Sequence, residues 1–241
     1  MSFQSRRESL EDRRRPLWTP MARLIVAFGS IAAAVSAFLV IGGEMSEGET
    51  AGWDRALMLA LRDPGAPDNP LGPPMLGELM RDVTALGGLT LICLFIVIAF
   101  VTLWMARRRF EGLLLLGAVS FAQMSAEALK TLYGRPRPDL VPHAVEVYSQ
   151  SFPSGHSTVG AAFYLTLAVI VAGWIPSRRG RIAVHGAALV VLTAIGVSRV
   201  YLGVHWPSDV AAGWALGAGW ALLAGLILWR HRRANEQAVE A

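Results

Sequence analysis

The sequence predicts an all-α protein that crosses a membrane six times, and three observations point to this fold class. The 241 residues are 54% hydrophobic and only 17% charged, with a mean hydropathy of +0.44, values far from those of a soluble domain. Six apolar runs are each about 20 residues long, the length that a helix needs to cross the hydrocarbon core. Positive charge gathers in alternate connections between these runs. The chain shows no internal repeat and no second domain.

The six predicted spans form one membrane domain, residues 23–233, with one long interruption. We place the spans at residues 23–43, 83–105, 110–132, 153–174, 182–200 and 206–229. Residues 1–22 are rich in arginine and predict a basic cytosolic tail, and residues 234–241 predict a short polar one. The interruption, residues 44–82, is polar and rich in Pro and Gly. Within it, residues 53–61 predict a short amphipathic helix at the membrane surface.

The distribution of charge predicts the orientation of the bundle. Fifteen of the 22 Lys and Arg residues fall on one side, at the two termini and in two turns, whereas 12 of the 18 acidic residues fall on the other. Because cytosolic loops carry the excess of Lys and Arg, we expect both termini in the cytosol. We place the chain, as a separate expectation, in a bacterial inner (cytoplasmic) membrane. The net charge of +4 is explained by this topology, and no nucleic-acid partner is expected.

The most informative stretch is SRVYLGVHWPSD, residues 198–209. Pro207 suits the first turn of a helix, because its φ is fixed and its missing N–H would have no partner there. His205 and Asp209 then lie one turn apart and can approach each other. A carboxylate that holds one imidazole nitrogen leaves the other free as a nucleophile, and the Arg199 guanidinium suits an oxyanion. The alternative is a boundary histidine beside a carboxylate that stabilises the helix dipole.

Two further polar clusters are predicted on the same non-cytosolic side. Lys130, near the end of the third span, lies seven residues before Arg137, and these two cations are suited to bind a phosphate. They also fit the alternative of cations that snorkel to the interface. The sequence PSGH, residues 153–156, opens the fourth span. It fits a helix N-cap, but N–H groups at a helix start also attract an anion, with His156 placed as a general acid.

Together the three clusters resemble the signature of a known family. The three-part pattern of the type 2 phosphatidic acid phosphatases, integral-membrane lipid phosphate phosphatases, is matched by Lys130-(six residues)-Arg137-Pro138, Pro153-Ser154-Gly155-His156 and Ser198-Arg199-(five)-His205-(three)-Asp209. The match covers residues 130–209 without a departure at any signature position. The site of this family resembles that of the vanadium haloperoxidases.

The resemblance implies a role for each matched residue. His205 is implied as the nucleophile that forms a phosphohistidine, Asp209 as the residue that orients it, and His156 as the acid for the leaving group and then the base for water. Binding of the phosphoryl oxygens is implied for Lys130, Arg137, Ser154, Gly155 and Arg199. Family members need no metal, so no cofactor is expected. Glu127 is expected to pair with Lys130 or with a neighbouring polar group. Arg135 is a further candidate for the phosphate clamp, although the spacing of the family selects Arg137.

A site on the outer face limits the substrate to lipid phosphates or diphosphates of that leaflet. Undecaprenyl diphosphate, phosphatidylglycerol phosphate and phosphatidic acid all fit, and neither the choice among them nor the oligomeric state follows from the sequence. One alternative is haloperoxidase chemistry with bound vanadate, against which six apolar spans argue. The other is a non-catalytic lipid-binding or transport protein on the same fold, against which the presence of His156, His205 and Asp209 argues.

Overall fold

The computed structural model describes residues 19–145 and 149–240, so that most of the predicted tail of residues 1–22 lies outside the described residues. The helices are α1 (Pro20–Ser46), α2 (Ala51–Leu59), α3 (Pro74–Ala85), α4 (Leu89–Met105), α5 (Arg109–Tyr133), α6 (Gly155–Ala172), α7 (Arg178–Tyr201) and α8 (Pro207–Glu240). The strands β1 (Arg62–Asp63) and β2 (Ala66–Pro70) form an antiparallel hairpin.

The long helices are those that the apolar runs predict. Helices α1, α5, α6, α7 and α8 are each long and apolar enough to cross a membrane. Helices α3 and α4 meet at 47° and make a sixth span if they are taken as one bent unit. The prediction of an all-α membrane bundle with six spans is therefore confirmed, and the small β-hairpin is an addition to it.

Two helices extend beyond their predicted ends for local reasons. Helix α7 starts at Arg178, because Oγ of Ser177 accepts a hydrogen bond from the N–H of Gly180 and caps the helix. Helix α8 continues past Trp229 to Glu240, since neither Gly nor Pro interrupts the chain there. The predicted polar tail is thus helical up to that residue.

The polar interruption contains more regular structure than predicted. Residues 74–85 form helix α3, which starts at Pro74, a position where the missing N–H of proline costs no hydrogen bond. Helix α4 then starts at Leu89, six residues after the predicted start of the second span. The second span is therefore broken just where the sequence predicts its beginning.

Helices α6 and α8 pack closely, and this brings their starting residues together. Gly213 and Gly217 lie one turn apart on α8 and face α6. A Cβ on Gly213 would lie 2.8 Å from the carbonyl oxygen of Ser154, and one on Gly217 would overlap the carbonyl oxygen of Thr158. The N–H of Ser154 also donates to the carbonyl oxygen of Asp209 at 3.0 Å. The two starts that carry PSGH and HWPSD are therefore held side by side.

The predicted helix at residues 53–61 is present as α2, and one of its faces packs onto the start of α8. Asp54 and Met58 on this face are fully buried, whereas Leu57 is exposed. Oδ1 of Asp54 accepts a hydrogen bond from the N–H of Ser208 at 2.8 Å. The long interruption thus returns to the end of the bundle where the three polar clusters lie.

The β-hairpin covers the turn between α7 and α8. Arg62 is buried, and its Nη2 donates to the carbonyl oxygen of Tyr201 at the end of α7, at 2.9 Å. The hydroxyl of Tyr201 donates in turn to the carbonyl oxygen of Leu71 at 2.9 Å. A carbonyl group that the end of α7 leaves free is thereby satisfied, and the loop that carries His205 is supported from outside the bundle.

Candidate active site

Six of the eight predicted site residues line one cavity at an end of the bundle. The cavity has a volume of about 320 Å³. The predicted residues in its wall are Lys130, Arg137, Gly155, His156, Arg199 and His205. They come from the ends of α5 and α7, the start of α6 and the loops that precede α6 and α8. Segments that are distant along the chain therefore converge on one small space.

His205 lies in the loop before α8 and is buried. Its Nδ1 lies 3.3 Å from Oδ2 of Asp209, and its Nε2 lies 3.2 Å from Nη1 of Arg137. In the tautomer with hydrogen on Nδ1, Nε2 accepts from Nη1 of Arg137, and a bound anion that draws this guanidinium away would free the lone pair. Burial lowers the pKa of His205 to about 4, although Asp209 acts in the opposite direction, so the imidazole is neutral at pH 7. A neutral ring is the form of imidazole that can act as a nucleophile.

Asp209 lies behind His205 and is held by several donors. It is fully buried. Its Oδ2 accepts hydrogen bonds from the hydroxyl of Ser151 and from the N–H of Trp206 at 2.9 Å. Its Oδ1 accepts one from Nη1 of Arg135 at 2.6 Å. A carboxylate fixed on both oxygens presents its charge to the imidazole in one orientation.

The heads of Lys130 and Arg137 meet at one serine. Nζ of Lys130 donates to Oγ of Ser149 at 3.3 Å, and Nη2 of Arg137 donates to the same atom at 3.2 Å. Arg137 also donates from Nε to the carbonyl oxygen of Ser149 at 2.7 Å. Glu127 pairs with Lys130 at 2.9 Å, as predicted. Two cationic groups within reach of one oxygen atom form a suitable anchor for a phosphate oxygen.

Arg199 and Gly155 complete the polar wall of the cavity. Arg199 is buried, and its Nη1 donates to Oγ1 of Thr84 at 2.9 Å. Its Nε, also buried, has no hydrogen-bond partner within residues 19–145 and 149–240. A Cβ on Gly155 would lie 3.3 Å from Nζ of Lys130, so the glycine allows the lysine head to approach the start of α6. The N–H groups of that first turn have no partner inside the helix and favour an anion.

Ser154 and His156 have different surroundings although they are two residues apart. Ser154 does not line the cavity; its Oγ caps α6 by accepting from the N–H of Ser157 at 3.4 Å. Its role in phosphate binding stays a prediction. His156 lines the cavity beside the break between α3 and α4, where a Cβ on Gly87 would lie 3.3 Å from its Cβ. Because Gly87 and Gly88 lack side chains, the break can pass close to the imidazole.

Arg135, the further candidate for the phosphate clamp, does not line this cavity. Its Nη1 bonds to Asp209, and its Nη2 donates to Oδ2 of Asp54 at 2.7 Å. A second cavity, of about 620 Å³, opens on that side and is lined by Arg135, Asp54 and Trp206 among others, but by neither His156 nor His205. Of these two cavities, the smaller one is lined by both histidines and is the candidate site.

Sequence reasoning missed the residues that support the site: Asp54, Thr84, Ser149 and Ser151. Each is a single polar residue outside the three motifs of the signature. Asp54, for example, bonds to a residue 154 positions further along the chain. The one available sign was that Ser149 and Ser151 lie just before PSGH.

The charge around the cavity favours a phosphate group. Three cationic side chains line it, and the N-terminus of α6 adds its dipole, whereas Glu127 is the one acidic residue of its described lining. Such donors are in place before a ligand arrives and stabilise charge that develops on it. Within the described ranges, no three His, Cys, Asp or Glu side chains are grouped as ligands for a metal ion. Independence of a metal stays a prediction.

Residues 111–233, about half of the chain, match the PAP2 superfamily. The chain belongs to this superfamily. The matched range contains all three polar clusters, including Lys130 at one end and Asp209 towards the other. The predicted membership of the type 2 phosphatidic acid phosphatases is therefore confirmed.

Similar PAP2 proteins are phosphatases of membrane lipids. The chain is 36% identical to phosphatidylglycerophosphatase B of Bacillus subtilis over 145 residues. The aligned region covers 60% of this chain and 71% of the relative. The chain is 33% identical over 176 residues to a lipid A 1-phosphatase of Rhizobium etli, covering 64% and 70%. The crystal structure of a transmembrane PAP2 type phosphatidylglycerolphosphate phosphatase from Bacillus subtilis superimposes with a TM-score of 0.74 and 28% identity, over 83% of this chain and 96% of that one. The predictions of a PAP2 phosphatase and of a multi-pass membrane protein are confirmed.

Proposed function

We propose that this PAP2 protein hydrolyses a phosphomonoester or diphosphate of a lipid through a phosphohistidine intermediate and without a metal ion. The observation that supports this most strongly is the setting of His205. One ring nitrogen faces the buried carboxylate of Asp209, and the other faces Arg137 in a cavity lined by cations. A neutral imidazole held in this way is a nucleophile directed at a bound anion.

In the first step, the phosphoryl group binds between three cationic side chains and the N–H of Gly155. The phosphate ligands are Lys130, Arg137 and Arg199. Nε2 of His205 attacks phosphorus, and the bond to the lipid oxygen or to the leaving phosphate breaks. The Nδ1 hydrogen stays on the ring, and Asp209 stabilises the positive charge that develops there. His156 gives its proton to the departing oxygen.

In the second step, the phosphohistidine is hydrolysed. His156, now neutral, takes a proton from a water molecule, and the water oxygen attacks phosphorus on the side opposite Nε2. The bond between Nε2 and phosphorus breaks, and His205 returns to its neutral form. Inorganic phosphate leaves, and both histidines are back in their starting protonation states.

The substrate is a lipid of the leaflet that the site faces. The cavity reaches the surface beside Leu89 and Glu127, both of them exposed, so a headgroup can enter while its apolar chains stay in the membrane. The names of the two Bacillus subtilis proteins support phosphatidylglycerol phosphate, whereas the Rhizobium etli relative is named for lipid A. Undecaprenyl diphosphate and phosphatidic acid remain candidates because the signature residues would contact only phosphate.

The site faces the periplasm or exterior of an inner membrane, and both termini lie in the cytosol. Helices α5 and α7 each start beside a group of arginines, Arg107 to Arg109 and Arg178 to Arg181, and each carries its site residue near the opposite end. Since arginine-rich connections stay in the cytosol, the site lies on the other side. Green fluorescent protein fused to the C-terminus should fluoresce in cells, whereas alkaline phosphatase fused there should be inactive; the reverse result would overturn this orientation.

A phosphate-release assay on the purified protein tests the activity. We expect release of inorganic phosphate from at least one lipid of a panel containing the three candidates. His205→Ala should lower kcat at least 10³-fold, whereas the matched control His185→Ala, in a helix away from the cavity, should retain full activity. An active His205→Ala protein would refute the mechanism. A wild-type protein that binds these lipids but hydrolyses none would support the non-catalytic alternative.

The covalent intermediate is tested with a substrate labelled with ³²P in the transferred phosphate. In His156→Ala, which lacks the base for the second step, a labile substrate such as a diphosphate should leave label on the protein. The label should be lost in acid and retained in alkali, as for a phosphorus–nitrogen bond. The additional change His205→Ala should abolish labelling, and label that persists in the double variant would exclude His205 as the nucleophile.

A further inference from the structure

We propose that Asp54 and Arg135 are positioning residues for the phosphatase reaction, because together they hold Asp209 and, through it, His205. The inference rests on the proposed function, in which Asp209 orients the nucleophile. Neither residue belongs to the three-part signature, and Asp54 lies before the matched range, residues 111–233.

Arg135 connects two buried carboxylates. Its Nη1 donates to Oδ1 of Asp209 at 2.6 Å, and its Nη2 donates to Oδ2 of Asp54 at 2.7 Å. The guanidinium group is almost buried, and its carbon lies 5.5 Å from the centre of the Trp206 ring. A planar guanidinium with one partner on each arm cannot rotate without breaking a charge-assisted hydrogen bond. Arg135 therefore fixes the oxygen of Asp209 that does not face His205.

Asp54 fixes Arg135 and also the backbone next to Asp209. Its Oδ1 accepts from the N–H of Ser208 at 2.8 Å, and its Oδ2 accepts from the hydroxyl of Ser208 at 2.6 Å. The hydroxyl of Ser208 in turn lies 2.7 Å from Nη1 of Arg135. The side chain of Asp54 thus satisfies an N–H group in the first turn of α8, the turn that presents Asp209 to His205. Helix α2 and the start of α8 are joined at this point.

The charges explain why two carboxylates share one guanidinium. Asp54 and Arg135 together are neutral, so Asp209 keeps a full negative charge for the imidazole that becomes positive in the first step. Without the charge of Asp54, Arg135 would be a buried cation whose remaining charged partner is Asp209. It would then compete with His205 for that carboxylate, and the transition state would lose stabilisation. The effect should therefore appear in kcat.

Phosphate binding should not change, because neither residue reaches the phosphate. The cavity that holds the two histidines is lined by Lys130, Arg137 and Arg199, but not by Asp54 or Arg135. A loss of positioning should therefore lower kcat and leave the inhibition constant of inorganic phosphate unchanged. A loss of the phosphate clamp would instead raise that inhibition constant.

The test measures kcat, KM and the inhibition constant of inorganic phosphate for Asp54→Asn, Arg135→Gln and the double variant. Each single change should lower kcat about 10- to 100-fold, with the inhibition constant within about twofold of wild type. Because the two residues act as a unit, the double variant should be no slower than Arg135→Gln alone. Asp68→Asn, the same change at an exposed position in the same interruption, is the matched control and should retain full activity.

A purely structural role predicts other results. The thermal midpoint and the yield of folded protein would fall in each variant. The losses in kcat would multiply in the double variant, and phosphate binding would weaken as well. Either this pattern or a wild-type kcat in Asp54→Asn would overturn the inference. If Asp54→Asn does not fold, Arg135→Lys serves instead. Its ammonium group keeps the charge but not the fork, so its kcat should lie between those of wild type and Arg135→Gln, and a kcat equal to either would count against positioning by the fork.

The wild-type protein and His205→Ala separate the two proposals. If the wild type releases phosphate and His205→Ala does not, while Asp54→Asn is fully active, only the positioning role is wrong. If the wild type releases no phosphate from any lipid of the panel, the proposed function is wrong and the inference falls with it.

Discussion

Nδ1 of His205 lies 3.3 Å from Oδ2 of Asp209, one helical turn further along the chain, and both side chains are buried. The pair is local in sequence, because Pro207 starts the helix between them. Its surroundings are not local, because the other oxygen of Asp209 is held by Arg135 from the loop after α5. The geometry of the pair His205 and Asp209 therefore depends both on one turn of helix and on the packing of the bundle.

Replacement of Asp209 by Asn should remove the charge that stabilises the imidazolium and alter the preferred tautomer of His205. We expect kcat to fall about 10³- to 10⁴-fold with a smaller change in KM, measured as initial rates of phosphate release. Asp82→Asn, at an exposed carboxylate on α3, is the control and should have the wild-type rate. An Asp209→Asn protein with more than a tenth of wild-type kcat would contradict the orienting role.

Replacement of Arg137 by Lys should weaken phosphate binding although the charge is kept. The guanidinium donates from Nε and Nη2 to Ser149 and from Nη1 to the carbonyl oxygen of Val204, an arrangement that a single ammonium group cannot reproduce. We expect the inhibition constant of inorganic phosphate to rise about 10- to 100-fold, or about 1.4 to 2.7 kcal/mol. Arg109→Lys, at the opposite end of α5, should leave it unchanged, and an equal effect of both changes would argue against a specific clamp.

The acid limb of kcat/KM should lie near pH 4. Burial lowers the pKa of His205 to about 4 from an ordinary value of 6.5, and the unprotonated ring is the nucleophile, so activity should be lost only as the pH falls through about 4. A phosphomonoester itself titrates near pH 6. Two substrates with different phosphate pKa values are therefore compared, and the limb that does not move belongs to the enzyme. An invariant limb near 6.5 would contradict a neutral, buried His205.

The same shift has a consequence for stability. The unfolded chain takes up a proton at His205 near pH 6.5, whereas the folded protein resists it down to about pH 4. The contribution of this residue to the free energy of unfolding is therefore complete above about pH 6.5 and declines as the pH falls towards 4. His205→Gln should show a smaller decline of its thermal midpoint over this interval than the wild type.

Replacement of Gly217 by Ala should push α6 and α8 apart. The added Cβ would overlap the backbone oxygen of Thr158, which cannot move without its helix, and overpacking of this kind costs about 1 to 3 kcal/mol. Thermal unfolding in detergent should show a lower midpoint. Gly219→Ala is the control two residues away, since its Cβ would lie 3.9 Å from Cβ of Ala34, an ordinary contact. Equal midpoints for the two variants would show that the close approach is not needed.

The spans and the signature residues could be predicted from sequence because both are local patterns. A long apolar run predicts a span wherever it lies, and the spacing from His205 to Asp209 predicts one helical turn. The break at Gly87 and Gly88 could not be placed in this way, because it depends on how close His156 of another helix comes. The β-hairpin is too short for its periodicity to be distinguished from that of a loop. Helix α3 does have apolar residues at helical spacing, Met75, Leu76, Leu79, Met80 and Val83, and was missed because its Pro and Gly residues resemble those of a loop.

The supporting residues of the site could not be predicted because their partners are defined only in three dimensions. Arg135 looked like part of the phosphate clamp, since it lies two residues before Arg137 on the sequence. In the fold the two side chains diverge, one towards Asp54 and Asp209 and the other towards His205. The spacing of the signature selects Arg137 for the clamp, but it does not indicate that Arg135 contacts Asp54 and Asp209.

The bend between α3 and α4 places residues from outside the three-part signature in the cavity wall. Leu89, the first residue of α4, lines the cavity and is 57% exposed, and it lies outside the range that matches the superfamily. Under the proposed function, substitution at Leu89 should change the room for a headgroup and leave the predicted catalytic residues unchanged. Relatives that share the signature residues would then differ in the lipids that they accept.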